Sequence, residues 1–155
     1  MAAFTYLWTN ECRINMLDDE GEPLDIMAGS VFIKRGVRPG DFVYVVTVWK
    51  AKVYLIGRTT VKQVWGRDKW DARHDTPYLW EGEEVVEGVE GTPMRMHFTL
   101  KPSVLRQLRF LDSKGRERPL AMTGNELDNA QCLRSVRRLS PASADLLDGL
   151  LEVQA

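Results

Sequence analysis

Trp65, Trp70 and Trp80 fall within sixteen positions of one another, in a stretch that has no sustained apolar period. An indole combines a large apolar surface with one N–H that needs a partner. Such a cluster in a loop therefore folds beneath the domain, meets a partner or lines a pocket. Aromatic walls are the common device for gripping a flipped or single-stranded base, at about 1–3 kcal/mol per stacked base. His74 lies inside the same stretch, as Arg73-His74-Asp75, where its ring can stack or hydrogen-bond. The other histidine, His97, sits on a segment of alternating apolar residues and reads as a surface or partly covered side chain.

Other chemistry has little to stand on. The chain contains no G-x-G-x-x-G, no Walker A lysine loop, no G-x-S-x-G elbow and no H-E-x-x-H helix. A metal hydrolase or a Ser-His triad would have to use His74 or His97. Glu83-Glu84 belongs to an acidic run, and such runs are usually solvated. Cys12 and Cys132 are far apart, with no CxxC or histidine spacing, which points to two reduced thiols rather than a disulfide or zinc site. The expectation is a protein with no catalytic residues, no cofactor and no metal.

The net charge of −1 argues against a surface coated with cations, but the charges are unevenly spread. Asp71 to Glu90 holds seven acids against one base, Arg73, whereas Lys101 to Arg138 holds nine bases against four acids. Arginines outnumber lysines fourteen to seven, and a guanidinium suits bidentate phosphate or base contacts better than an ammonium. With 44% hydrophobic and 28% charged residues the chain reads as one globular domain over residues 1–155, not a disordered one. No basic-plus-apolar leader opens it, and no apolar run reaches the roughly 18–20 residues that span a bilayer. A cytoplasmic protein without membrane attachment is the default expectation.

The elements that must position these residues are mostly strands. Phe4 to Trp8 alternates with period two and reads as a first strand. Pro23 to Ala28 reads as a short helix stopping at Gly29. Arg38-Pro39-Gly40-Asp41 is a turn signal, followed by Phe42 to Trp49, which is nearly all β-branched or aromatic and reads as a central strand covered on both faces. Lys50 to Lys52 turns the chain into a second strand from Val53 through Val64, where Gly57 suggests a bulge or a close backbone approach. Trp65 to Pro93 reads as a long loop. Met94 to Leu100 alternates and reads as a strand. Three helices complete the pattern: one opened by Lys101-Pro102-Ser103 and closed at Ser113-Lys114-Gly115, one over Asn125 to Val136, and one started by Ser140-Pro141 with Leu146, Leu147, Leu150 and Leu151 on its apolar face. Strands first and helices last is an α+β order.

Three stretches resemble the PUA-like superfamily, and within it the EVE and YTH branch of modified-base readers. Tyr6-Leu7-Trp8-Thr9-Asn10 looks like the first strand of those domains, Gly36 to Tyr44 like their glycine-aspartate turn into an apolar strand, and Leu55 to Val61 like their apolar-Gly-x-x-x-Val strand. Their order and spacing agree over about residues 4 to 110. The resemblance implies a small curved or closed, mostly antiparallel β-barrel with flanking helices concentrated at the C-terminus. It implies that Thr9 and Asn10, following Trp8, face the edge of an extruded base, and that Trp65, Trp70 or Trp80 stacks on its face. It implies that Arg35, Arg38, Arg58, Arg134, Arg137 and Arg138 hold phosphates. The family has a second cage aromatic shortly after the first strand, but Asn10 to Val31 contains no Trp, Tyr or Phe. Either Phe32, Met27 or Trp49 supplies that wall, or the cage is open on that side.

The functional expectation is a nucleic-acid-binding module, for DNA or RNA, that seats one base, modified or not, in an aromatic pocket. An effector or nuclease acting beside it is a conceivable partner protein. The rival expectation is a protein-interaction or regulatory subunit whose exposed tryptophans dock a partner.

Overall fold

The computed structural model describes residues 1–77 and 79–153. Strand β1 (Ala3–Trp8) runs into helix α1 (Asn10–Asn15), a 3-10 turn at Leu17–Asp19, and strand β2 (Ile26–Gly29). Strands β3 (Phe42–Trp49) and β4 (Lys52–Gly66) form the long central hairpin, followed by α2 (Arg67–Arg73) and β5 (Glu84–Val89). A four-residue helix, α3 (Pro102–Leu105), precedes the short strands β6 (Arg109–Leu111), β7 (Glu117–Pro119), β8 (Met122–Thr123) and β9 (Glu126–Leu127). A 3-10 turn at Ala130–Leu133, strand β10 (Val136–Leu139) and helix α4 (Pro141–Leu150) end the chain.

The fold is α+β and consists mainly of strands, in an eight-stranded sheet of order β2-β5-β4-β3-β1-β10-β6-β7. Neighbours are antiparallel except β1 and β3, which makes the sheet mixed. Its ladder has two ends, β2 and β7, so the strand pairing does not close into a barrel. Asp41 sets the parallel pair: its carboxylate accepts the N–H of Ala2 (2.9 Å) and of Arg38 (2.9 Å), tying the start of β1 to the turn before β3. In that turn Gly40 has φ +92°, the left-handed value the Pro-Gly signal requires.

Strand β3 is covered on both faces, as its composition predicts. Val43 and Val45 join Phe4, Trp8, Phe32 and Ile56 in one cluster, while Tyr44 and Val46 join Leu55, Leu105, Phe110 and Leu147 in another. Pairing across the hairpin shifts from Val45↔Gly57 to Val46↔Leu55, a bulge beside Gly57. A Cβ there would lie 2.8 Å from Thr92 Oγ1, so what approaches this glycine closely is a side chain and not the expected backbone.

Several predicted elements are different. Pro23 to Ala28 is not a helix: Ile26 to Gly29 pairs with β5 instead, and its buried Met27 and Ala28 hold it in the sheet. The long loop of residues 65–93 contains α2 and β5, because Val85 and Val86 are fully buried and hold the strand in the sheet. Met94 to Leu100 has the expected burial alternation but only scattered ladder bonds, among them Arg95 N–H to Ile56 O (2.9 Å) and Leu55 N–H to Phe98 O (3.0 Å). The helix expected after Pro102 stops at Leu105, because Arg109 to Leu111 pairs with β10 and β7. The helix expected over 125–136 is β9, a 3-10 turn and the start of β10. Its apolar residues at spacings of three bury there equally well, Leu127 at 7%, Leu133 at 1% and Val136 at 1% exposure.

Helix α4 starts where Ser140-Pro141 indicated. The Ser140 hydroxyl accepts the Ser143 N–H (3.2 Å) and donates to Ser143 Oγ (2.9 Å). Ser140→Ala is expected to cost about 1 kcal/mol of stability, the usual worth of an N-cap, and a urea melt checks it.

Candidate functional site

At the C-terminal end of β1 the chain opens a cavity of about 820 Å³, walled by Thr9, Cys12, Ile26, Trp80 and Met94. Thr9 caps α1, its hydroxyl oxygen accepting the Cys12 N–H at 3.1 Å. Arg13 anchors the same helix: it is buried at 5% exposure, donates to Met96 O (2.7 Å) and lies over the Tyr54 ring at 4.2 Å. Trp80 is fixed from behind. Its Nε1 donates to Ala28 O (2.7 Å), and its ring meets buried Trp8 edge-on at 5.2 Å. Tyr6 donates to the same Ala28 carbonyl (2.9 Å), and burial, with Cys12 adding to it, pushes its phenol up to about 12, so it stays a donor. The Trp8 Nε1 is buried and has no hydrogen-bond partner.

The polar lining of the cavity is dominated by acceptors. Glu11, Asp18, Asp19 and Glu22 contribute carboxylates and Asn15 an amide, and no lysine or arginine lines it. Carboxylates accept hydrogen bonds from ring N–H and amino groups and repel phosphate, so this cavity suits the donor edge of a planar group and not an anion. Burial, then the neighbouring Glu11 charge, raises the Cys12 thiol to about 11. Peptide mapping after iodoacetamide treatment at pH 8 should find Cys12 slowly alkylated, with the rate climbing as pH approaches 11, since the thiolate is the reactive form.

A second, basic cleft of about 430 Å³ is lined by Val31, Arg35, Arg134, Ser135 and Arg137. Arg35 lies on a turn that Glu84 holds: Oε1 of that side chain accepts the N–H of Phe32 (2.7 Å) and the Arg35 N–H bonds Val31 O (2.9 Å). Arg137 donates to Cys132 O and stacks on Phe110 at 4.3 Å. Desolvation, and to a lesser extent the Arg35 charge, holds its guanidinium below the usual range, with Cys132 acting the other way. The cleft and the cavity flank the same strand end, because the Leu7 N–H bonds Ser135 O at 3.2 Å, two residues before Thr9.

Of the predicted aromatic residues, Trp80 lines the cavity and Trp8 backs it. Trp65 and Trp70 do not join them. Trp70 is 4% exposed, donates to Thr76 Oγ (3.0 Å) and stacks on His74 at 3.6 Å, forming with Trp65 a satellite core on Val85. Trp65 donates to Glu87 (3.2 Å). Trp49 is at the tip of the central hairpin, exposed, with the Lys50 ammonium 4.5 Å from its ring centre. Asn10 is turned to Arg13, whose Nε donates to its Oδ1 at 3.0 Å. Met27 and Phe32 are fully buried in the core. His97 is exposed.

The predicted arginines also divide. Arg35, Arg134 and Arg137 converge. Arg138 faces the other way, as successive strand residues do, toward a small cavity beside Asp145 and Asp148. Arg58 is 9% exposed and paired with Asp148 at 3.1 Å, which makes it a structural tie instead of a phosphate ligand. Arg38 is exposed at the turn before β3, away from the cleft lining. Tyr6, inside the family-like first stretch, Cys12, read only as a reduced thiol, and the acids of residues 11–22 were not expected at the site. Among the described residues no cluster of His, Cys, Asp or Glu is suited to a metal ion, and no helix is long and apolar enough to cross a membrane. No protein-family model matches the chain, and no curated protein matches it.

Proposed function

We propose that this protein is a nucleic-acid-binding module of the PUA-like kind, related to the EVE and YTH readers, that seats one base in the cavity between Thr9 and Trp80. The observation that carries the reading is the convergence of Thr9, within the family-like first stretch, and Trp80, from the tryptophan-rich stretch, on one cavity. The base stacks against Trp80 and offers its donors to the carboxylates of residues 11–22. A modified base is accommodated by the apolar Ile26 and Met94 surfaces, and the phosphates lie outside, toward the arginines. The reading needs only the mixed sheet behind the site, and not a closed barrel. Docking of a partner through exposed tryptophans has less to support it, since among the described residues Trp49 is the one exposed tryptophan.

The test is a titration of methylated and unmodified DNA and RNA oligonucleotides against intrinsic tryptophan fluorescence at low salt. Saturable quenching supports the reading, and its absence with every oligonucleotide sinks it. Repeating it across a salt series separates phosphate from base contacts.

A further inference from the structure

The basic cleft is a more concentrated feature than a strand of nucleic acid needs merely to pass by. Three guanidiniums, of Arg35, Arg134 and Arg137, line one volume together with Val31 and Ser135, and no acidic side chain lines it with them. None of the three takes part in a salt bridge among the described residues. Arg137 is desolvated and held in place by Cys132 O and the Phe110 ring, so its position is set before any ligand arrives. The backbone is strained at the same place. Val31 and Ser135, which line the cleft, both have φ +62°, in the left-handed region that non-glycine residues rarely adopt, a β-branched valine least of all. Strain of this kind persists where the surrounding structure enforces it, and it concentrates at ligand sites.

Like charges gathered on one point are stabilised by an anion that sits among them. A phosphodiester carries one charge per phosphate, and its contacts spread along a groove. A terminal phosphate brings about −1.5 to −2 charges and three acceptor oxygens to a single place, which matches three convergent guanidiniums. The cleft volume is also within the range of small-ligand pockets. We infer that the Arg35–Arg134–Arg137 cleft binds a phosphomonoester, either the terminal phosphate of a nucleic-acid strand or that of a free phosphorylated ligand. The strand form rests on the proposed function, and the free form does not.

The experiment compares the wild-type protein with Arg35→Gln/Arg134→Gln. Both of these side chains are exposed, so the fold tolerates the change, and Arg137 is kept because it packs on Phe110. One arm measures anisotropy of a 3′-labelled single-stranded oligonucleotide carrying a 5′-phosphate or a 5′-hydroxyl. The other follows ribose 5-phosphate against ribose by calorimetry. The wild type is expected to prefer the phosphorylated member of a pair by about tenfold, and the double variant to lose most of that preference. Preference in the oligonucleotide arm identifies a strand end as the source. Preference in the sugar arm alone, with no oligonucleotide binding, identifies a free ligand and leaves the cleft standing while the base-binding reading fails. Equal binding of both members in both arms overturns the inference, as does a preference that survives the double substitution. Trp80→Ala separates the two sites, because it should weaken the 5′-phosphate and 5′-hydroxyl strands by the same factor.

Discussion

Trp80→Ala is expected to weaken single-stranded oligonucleotide binding by about fivefold to a hundredfold, the range of losing one base–indole stack. The size of the effect follows from how the ring is held. Trp80 is fixed by its bond to Ala28 O and by the edge of Trp8, so its free face is presented to the cavity at no further ordering cost. Trp80→Phe separates the stack from its support: a phenyl ring still stacks, but it cannot donate to Ala28. It should fall between wild type and alanine. Circular dichroism guards against simple unfolding, because the substitution also removes packing from the Trp8 cluster. Trp65→Phe, in the satellite core, should leave affinity unchanged, and a loss there comparable to that of Trp80→Ala would move the site.

Asp148→Ala is expected to cost about 2–4 kcal/mol in a urea or thermal melt, the largest single-residue effect on stability proposed for this chain. One Asp148 carboxylate oxygen accepts from the Tyr44 hydroxyl and from Arg58, and these two belong to adjacent central strands while Asp148 belongs to α4. Without it Arg58 keeps a buried charge facing only the Phe42 ring, at 4.4 Å, and Tyr44 keeps only its 3.3 Å bond to Ala144 O. Burial, then the bond and charge of Asp148, push the Tyr44 phenol above its ordinary range, so the hydroxyl remains the donor at any physiological pH. Asp148 retains some exposure, 24% of its side chain, which keeps the expected loss below that of a fully buried pair. Asp148→Asn keeps an acceptor for Tyr44 and should lose less. A loss near zero for the alanine variant would show that α4 is held by its leucines alone.

The central hairpin, the first strand and the turn at Pro39-Gly40 were legible because each depends on nearest neighbours: β-branched runs favour strands, and a proline–glycine pair makes a turn. The start of α4 was legible for the same reason, through Ser140 and Pro141. Residues 125–136 were misread because spacings of three place Leu127, Leu133 and Val136 in a core whether the backbone is helical or a hairpin followed by a 3-10 turn. The separation of the tryptophans was not legible at all. Trp70 and Trp80 are ten positions apart and both pack on the satellite core, and what buries one within it while the other also faces the cavity is a threonine hydroxyl in one case and the Ala28 carbonyl of β2 in the other. The arginines show the same limit. Arg58 and Asp148 are ninety residues apart, so no local pattern could have shown that this guanidinium is already occupied.

Zero-length photocrosslinking tests the central claim most directly. A single-stranded oligonucleotide carrying one 4-thiouracil or 5-bromouracil is irradiated with the wild-type protein, and the adduct is mapped by mass spectrometry. The base-seating account predicts adducts in the peptides that hold Trp80 or the Thr9–Cys12 segment, lost on competition with unlabelled strand. Adducts confined to Trp49 or Trp65, or none at an oligonucleotide concentration that saturates binding, would contradict it.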